Sequence, residues 1–113
     1  MPIRGLLISY FRLILFALAE QIAKWPKEYL LAGTADSFEQ GIEQTGLSKA
    51  DVIVVDIDTS PDNALPFITT LHAISEAKIL LLTRLENNEL QDKAIVFGAR
   101  GVVDRNATPE SFL

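Results

Sequence analysis

The chain has 113 residues, 49% of them hydrophobic and 22% charged, which suits one globular domain with a modest core and excludes an intrinsically disordered chain. It contains no cysteine, which excludes disulfides, thiolate metal sites and cysteine nucleophiles, and its net charge of −5 gives no positive surface for nucleic acid. We therefore expect a cytoplasmic domain that does not bind DNA by itself.

The N-terminal region is apolar enough to require a test for a leader peptide or a membrane span. Arg4 precedes the apolar stretch, and Ala17-Leu18-Ala19 resembles a signal-peptidase cleavage site. Arg12 divides the stretch into two short pieces. Because both kinds of segment need a longer uninterrupted apolar run, neither an exported protein nor a membrane protein is expected.

The first half of the chain alternates between strand patterns and helical spacing. The predicted elements are a strand over 3–8, a helix over 11–25, a strand over 29–32 and a helix over 38–45. Pro26 ends the first helix because it disfavours helical geometry in the residue before it. Asp36 or Ser37 caps the second helix, and Gly46 is expected to close it.

The central strand of the chain is the apolar run 52–55, which contains three valines and is followed by carboxylates at Asp56 and Asp58. A short, continuous β-branched run is typical of a strand buried on both faces in the middle of a parallel sheet. In open α/β sheets, ligands bind beyond the carboxyl ends of the central strands. Any chemical site is therefore expected at these two carboxylates.

The second half of the chain continues the same alternation. The predicted elements are a loop over 59–63, a helix over 64–76, a strand over 78–82, a helix over 86–97 and a strand over 101–103. Thr108-Pro109-Glu110 then opens a fifth helix with a cap and a proline at its first position. Five strand–helix repeats predict an α/β, flavodoxin-like, doubly wound parallel sheet with strand order 2-1-3-4-5 and a truncated fifth helix.

The truncated fifth helix has a consequence for the surface. In this topology the first and last helices cover one face of the sheet, and the chain stops at Leu113, soon after the last helix begins. Apolar surface is then expected beside the first helix, which is itself rich in large apolar residues: Leu13, Ile14, Leu15, Phe16 and Leu18. Either the native chain continues past Leu113, or this face packs on another molecule.

Four stretches of the sequence resemble one known family, and the resemblance extends over the whole of residues 1–113. They are Leu31-Ala32-Gly33-Thr34-Ala35-Asp36, Ala50-Asp51-Val52-Ile53-Val54-Val55-Asp56, Lys78-Ile79-Leu80-Leu81-Leu82-Thr83, and Phe97-Gly98-Ala99-Arg100-Gly101-Val102-Val103 followed by Ala107-Thr108-Pro109-Glu110. The chain is similar to the receiver domain of two-component response regulators, a CheY-like fold. The last stretch resembles the NarL/LuxR-type subgroup, which carries a C-terminal helix-turn-helix domain for DNA binding.

The resemblance implies a role for several positions at the carboxyl edge of the sheet. In such receivers an aspartate accepts a phosphoryl group, Mg²⁺ joins it to an acidic pair after the first strand, and a hydroxyl and a lysine bind the phosphoryl oxygens. Asp56 stands at the phosphoacceptor position and Thr83 at the hydroxyl position. Arg105 replaces the lysine, and Val102 replaces the aromatic residue that switches with the hydroxyl.

The acidic pair of the family does not survive in this sequence. Its two positions hold Ser9 and Tyr10, neither of which is a carboxylate. A hard divalent cation needs several carboxylate oxygens. Asp56, with only a weak contribution from Asp58, is therefore expected to form a poor Mg²⁺ site. Arg105 keeps the positive charge of the lysine and could pair with Asp56 permanently. The resemblance therefore predicts a degenerate receiver, or pseudo-receiver, that works without phosphorylation.

We interpret the chain as a non-enzymatic signalling domain, the N-terminal part of a transcription regulator that reaches DNA only through a domain missing from this sequence. Its expected output is homodimerisation or contact with a partner protein. The resemblance places the partner face near Leu90, Phe97 and Val103, and the first helix offers a competing face.

Two alternatives stay open. One is a functional phospho-receiver that accepts a phosphoryl group on Asp56 from a histidine kinase. The other is a small flavodoxin-like enzyme or ligand-binding protein, although Ser9-Tyr10-Phe11-Arg12 follows the first strand where a nucleotide binder has a glycine-rich phosphate loop. Binding of flavin or nucleotide by the purified domain would support the second alternative.

Overall fold

A computed structural model of the chain describes residues 2–57, 61–83, 92–93, 95–96 and 98–104. Within these residues the helices are α1 (Arg12–Ala23), α2 (Phe38–Ser48) and α3 (Pro61–Ile74). The strands are β1 (Ile3–Ile8), β2 (Tyr29–Ala35), β3 (Val52–Asp56), β4 (Lys78–Thr83) and β5 (Gly101–Asp104). No described helix is long and apolar enough to cross a bilayer.

The five strands form one parallel sheet in the order β2-β1-β3-β4-β5. This order confirms the predicted doubly wound fold. In the centre of the sheet Ile8 of β1 pairs with Val55 of β3, and Asp56 of β3 pairs with Leu82 of β4. The carboxyl ends of these three strands therefore meet at one edge, where the doubly wound topology leaves room for a site.

The apolar run of β3 is buried on both faces, as its sequence predicts. The larger core cluster lies between the sheet, α2 and α3 and includes Leu6, Ile8, Phe38, Ile53, Val55, Phe67, Ile68, Leu71, Ile79 and Leu81. The smaller cluster joins α1 to the opposite face and consists of Leu7, Leu15, Leu18, Val54 and Leu82. Alternation along β3 sends Ile53 and Val55 to the first cluster and Val54 to the second, so β3 anchors both layers.

Several helix boundaries differ from the sequence prediction: α1 ends at Ala23 and not at Trp25, α3 ends at Ile74 and not at residue 76, and the end of α2 and the start of α3 each differ by three residues. The expected end of α2 at Gly46 is wrong, because the helix continues to Ser48 and is followed by Lys49 in the left-handed region at φ 51°. At its start, Ser37 is the cap, and its hydroxyl accepts the N–H of Gln40 at 3.1 Å. α3 begins at Pro61, three residues before the predicted start, since proline suits the first turn of a helix.

The predicted fourth and fifth helices fall largely outside the described residues. Residues 92–93 and 95–96 are helical, within the predicted range 86–97, and Gly98 follows at φ 128°, which only glycine adopts without strain. Leu90 and Phe97 of the expected partner face lie outside the described residues. The helix predicted to begin at Thr108 lies outside them as well.

Alanine substitution at the two glycines of α2 is expected to have opposite effects on the free energy of unfolding. A Cβ at Gly41 would lie 2.8 Å from Cζ of Phe67 and 2.9 Å from Cδ1 of Ile8, whereas a Cβ at Gly46 meets nothing within 4 Å. We expect Gly41→Ala to lower the free energy of unfolding by about 1–3 kcal/mol through overpacking. Gly46→Ala should raise it by about 0.5–1 kcal/mol. Urea unfolding followed by circular dichroism measures both, and effects of the same sign would contradict this packing of α2.

Candidate functional site

The candidate site is centred on Asp56, the last residue of β3. Its side chain is fully buried, with 0% exposure. Ser9 follows the last residue of β1, and because Ile8 pairs with Val55, the chain register brings Ser9 beside Asp56. The Ser9 hydroxyl donates a hydrogen bond to Oδ2 of Asp56 at 2.8 Å. The two strand ends are thus joined directly by their side chains.

The Ser9 hydroxyl is held in place by a second hydrogen bond. Its Oγ accepts the backbone N–H of Phe11 at 3.1 Å, and the backbone N–H of Ser9 donates to the carbonyl of Ala35 at 3.0 Å. Ser9 is 1% exposed. A hydroxyl has one hydrogen, and here it is directed to the carboxylate. Ser9 therefore acts on Asp56 as a hydrogen-bond donor, which stabilises the carboxylate form.

Tyr10, at the second of the two expected acidic positions, contacts α2. Its hydroxyl oxygen accepts the backbone N–H of Phe38 at 3.2 Å, one of the N–H groups that the start of a helix leaves without an intrahelical acceptor. The Tyr10 ring meets the ring of Phe38 edge to face with centroids 5.2 Å apart, and Phe38 stacks on Phe67 of α3 at 4.2 Å. Tyr10 thus holds the start of α2 against the β1–α1 connection.

Asp36, the carboxylate that follows β2 at the same edge of the sheet, pairs with Arg12. The Nε and Nη2 atoms of Arg12 donate to Oδ2 of Asp36 at 3.2 and 2.9 Å. The backbone N–H of Asp36 donates to the side-chain carbonyl of Gln40 at 3.1 Å. These contacts tie the first turn of α1 to the start of α2 at the surface, so Asp36 belongs to the rim of the candidate site.

The remaining predicted site positions are described in part. Thr83 is fully buried at the end of β4, and Val102 of β5 packs against the larger core cluster. Thr83 pairs with Asp104, the last residue of β5. The structure therefore brings Asp56, Ser9 and Thr83 to the same edge of the sheet. Arg105 and Asp58 lie outside the described residues.

The described side chains do not fit a Mg²⁺ site of the kind that the resemblance implies. Mg²⁺ prefers octahedral oxygen ligands and is usually bound through carboxylates. Beside Asp56 the first strand offers a hydroxyl whose hydrogen is directed to the carboxylate, and the Tyr10 hydroxyl is engaged with Phe38. Within the described part of the chain, no three acidic, histidine or cysteine side chains cluster as metal ligands.

The hydrogen bond between Ser9 and Asp56 was not foreseen from the sequence, although a signal for it exists. Once β1 and β3 are adjacent parallel strands, residues that directly follow their paired positions lie side by side. Ser9 follows Ile8 and Asp56 follows Val55. No comparable pattern in the sequence predicts the contact between Tyr10 and Phe38, because a side chain beyond a strand end can turn to either side of the sheet.

Ser9→Ala should destabilise the chain because it removes both hydrogen bonds of the Ser9 hydroxyl. A buried carboxylate oxygen and a backbone N–H each lose a partner, and we expect the free energy of unfolding to fall by about 1–3 kcal/mol. Thr69→Ala is the control: its hydroxyl makes one hydrogen bond, at 3.0 Å to the Leu65 carbonyl, on an exposed surface. The control should change stability by less than about 0.5 kcal/mol in the same urea titration. Equal effects of the two variants would contradict the burial of the Ser9 contact.

No family model matches the sequence, and no curated protein matches it. Several solved structures match nearly the whole chain. The response regulator domain of CheB from Thermotoga maritima is 18% identical, with a TM-score of 0.83 over 96% of this chain and 82% of that chain. The signal receiver domain of NarL from Mycobacterium tuberculosis is 14% identical, with a TM-score of 0.85 over 96% of this chain and 88% of that chain.

A third solved structure carries a modified aspartate. It is a response regulator protein from Burkholderia pseudomallei with a phosphorylated aspartic acid, a calcium ion and citrate. It is 23% identical, with a TM-score of 0.84 over 97% of this chain and 64% of that chain. At these identities the likeness shows the fold. The chain has the fold of response regulator receiver domains, as its sequence predicts.

Proposed function

We propose that this chain is a receiver-type signalling domain that works without phosphorylation, as a non-enzymatic module of a transcription regulator. The observation that carries the proposal is the buried hydrogen bond from Ser9 Oγ to Asp56 Oδ2. It places a hydroxyl donor where phosphorylation by Mg²⁺-dependent chemistry needs a carboxylate ligand.

The charge of the pocket supports the proposal. Phosphorylation of an aspartate creates a dianionic group, which a bound divalent cation normally neutralises. With Ser9 and Tyr10 at the first strand end, two negative charges that would attract the cation are missing. Arg105 supplies a positive charge next to β5 in the sequence, and its permanent pairing with Asp56 would imitate the neutralised, phosphorylated centre.

The proposed output is contact with other proteins, including a second copy of the chain. In this reading a DNA-binding domain of helix-turn-helix type follows the receiver in the native regulator, which acts in the cytoplasm. The net charge of −5 supports the assignment of DNA contact to another domain.

A phosphorylation assay tests the proposal. The purified chain is incubated with Mg²⁺ and acetyl phosphate, a small phosphoryl donor, and its intact mass is measured with and without hydroxylamine, which removes acyl phosphates. We expect no mass increase corresponding to one phosphoryl group. An increase that hydroxylamine reverses, and that Asp56→Asn abolishes, would contradict the proposal.

That contrary result would support the second candidate function, a phospho-receiver that uses Asp56. The observation that favours this candidate is the retention of Asp56 and Thr83 as fully buried residues at the ends of neighbouring strands. The related structure from Burkholderia pseudomallei carries a phosphorylated aspartic acid. The two candidates differ in one measurable property, the covalent state of Asp56 after exposure to a phosphoryl donor.

A further inference from the structure

A cleft of about 240 Å³ lies between the second half of α1 and the neighbouring face of the sheet. Leu18 and Ile22, one helical turn apart on α1, line one wall, while Leu7 of β1 and Val54 of β3 line the floor. We call it the α1 cleft. The first residues of β1, β2 and β3 also line it, so it lies towards the amino ends of the strands. Asp56 is at the other end of the sheet.

The lining of the α1 cleft is apolar and uncharged. Of the ten described residues that line it, only Gln21 and Tyr29 have polar side chains, and none carries a charge. Ile22, Val52 and Leu80 are only half-buried there, although they pack against the smaller core cluster. Covering these side chains would remove apolar surface from water, which is favourable. A charged occupant would lose its hydration without a partner, so the lining selects a neutral one.

Gly5 leaves a gap in the floor of the α1 cleft. It pairs with Leu31 of β2 on one side and with Val52 of β3 on the other, so a row of side chains across the sheet is interrupted at this position. A Cβ at Gly5 would meet nothing within 4 Å, whereas a Cβ at Gly33 would lie 2.9 Å from the side chain of Gln44. Packing of the described residues therefore does not require a glycine here.

Backbone geometry does not require a glycine at this position either. The register between β1 and β2 shifts directly after Gly5, but the extra residue, Ala32, belongs to β2. Gly5 also lacks the positive φ that is found at Gly98. A glycine inside a strand weakens the strand, and it often marks a place where a ligand approaches the backbone closely.

The volume of the α1 cleft sets the size of its occupant. An apolar cavity of about 150 Å³ in a protein core is large enough to bind benzene. The α1 cleft, at about 240 Å³, is large enough for one or two fused rings. Gln21 adds a polar contact on the α1 side, because its amide carries both an acceptor and two donors.

We propose that the α1 cleft binds a small neutral aromatic molecule of one or two rings, with one N–H or O–H group that donates to the side chain of Gln21. The rings lie over Gly5 and against Leu18 and Val54. The inference goes beyond the proposed function, because the cleft is a separate site at the other end of the sheet from Asp56. Phosphorylation of Asp56 would contradict the proposed function and leave this binding untouched.

A titration with indole tests the proposal, with amide NMR shifts of the chain as the readout. Indole has the size of two fused rings and one N–H donor, and we expect a dissociation constant on the order of 0.1–1 mM. Saturable shifts should be concentrated at Gly5, Gln21 and Val52. Indene, which has the same shape but no N–H, should bind at least about threefold more weakly because the donor to Gln21 is lost.

A pair of glycine variants provides the control for the α1 cleft. Gly5→Val places a side chain in the gap, so indole should bind at least about tenfold more weakly, while the variant should unfold at an equal or higher urea concentration. Gly46→Ala also adds a side chain where nothing lies within 4 Å, but on α2, and should leave indole binding unchanged.

Three results would each overturn the proposal: a wild type without saturable shifts, a Gly5→Val variant that binds indole as tightly as the wild type, or equal affinities for indole and indene. Shifts of the same amides that depend on protein concentration in the absence of indole would also overturn it. That result would assign the α1 cleft to a second copy of the chain.

Discussion

Replacing Ser9 with aspartate should make the stability of this chain depend on Mg²⁺. The new carboxylate would lie beside the buried carboxylate of Asp56, where Ser9 now donates a hydrogen bond at 2.8 Å. Without a divalent cation, like-charge repulsion and the lost donor should lower the free energy of unfolding by about 2–4 kcal/mol. With two adjacent carboxylates the pocket gains the ligand type that Mg²⁺ prefers. A Mg²⁺ concentration about ten times the dissociation constant should then recover about 1.4 kcal/mol.

Thermal unfolding with increasing MgCl₂, at constant ionic strength, measures this dependence. The wild type and Thr69→Asp, which adds the same charge on the exposed side of α3, serve as controls and should show no saturable response. A Ser9→Asp variant that Mg²⁺ does not stabilise would mean that other features of the pocket also prevent binding. A wild type that responds as strongly as the variant would contradict the role assigned to Ser9.

Phe67→Ala should produce the largest loss of stability among single truncations near the site. Phe67 is 4% exposed and stacks on Phe38 with ring planes 7° apart. Removing a buried aromatic ring leaves a cavity, and we expect a loss of about 3–5 kcal/mol in the free energy of unfolding. The loss should also loosen the start of α2, because Phe38 joins Phe67 to Tyr10. Urea unfolding gives the free energy, and hydrogen exchange of the Phe38 amide reports the local effect.

Phe16→Ala is the matched control for this prediction. It removes the same ring from a side chain that is 68% exposed, so the free energy of unfolding should change by less than about 0.5 kcal/mol. If both variants lost the same stability, the assignment of Phe67 to the core and Phe16 to the surface would be wrong.

The sequence predicts the sheet well because its strands are short apolar runs bounded by polar or turn residues. The run 52–55 is buried on both faces, and such a run has few other stable arrangements in a domain of this size. The end of α2 was predicted wrongly because glycine is a common helix terminator. Gly46 lies on an open side of the helix, where it meets nothing within 4 Å, and the left-handed residue that follows the helix is Lys49.

The position of the site could be predicted from the sequence, but its internal contacts could not. Asp56 and Thr83 are recognisable because each ends an apolar strand, and strand ends meet at one edge of a parallel sheet. The donor role of Ser9 depends on the register between β1 and β3, which the sequence alone leaves open. The direction of Tyr10 depends on the position of Phe38, a residue 28 positions away that becomes its neighbour only when α2 packs on the sheet.

A beryllofluoride titration measures whether the pocket at Asp56 binds a phosphoryl group through Mg²⁺. Beryllofluoride with Mg²⁺ imitates a phosphorylated aspartate, and amide NMR shifts of Asp56, Thr83 and Arg105 report its binding. We expect no saturable shifts at these residues. Saturable shifts in the wild type that disappear in Asp56→Asn would contradict the proposed function and show that the pocket still performs receiver chemistry.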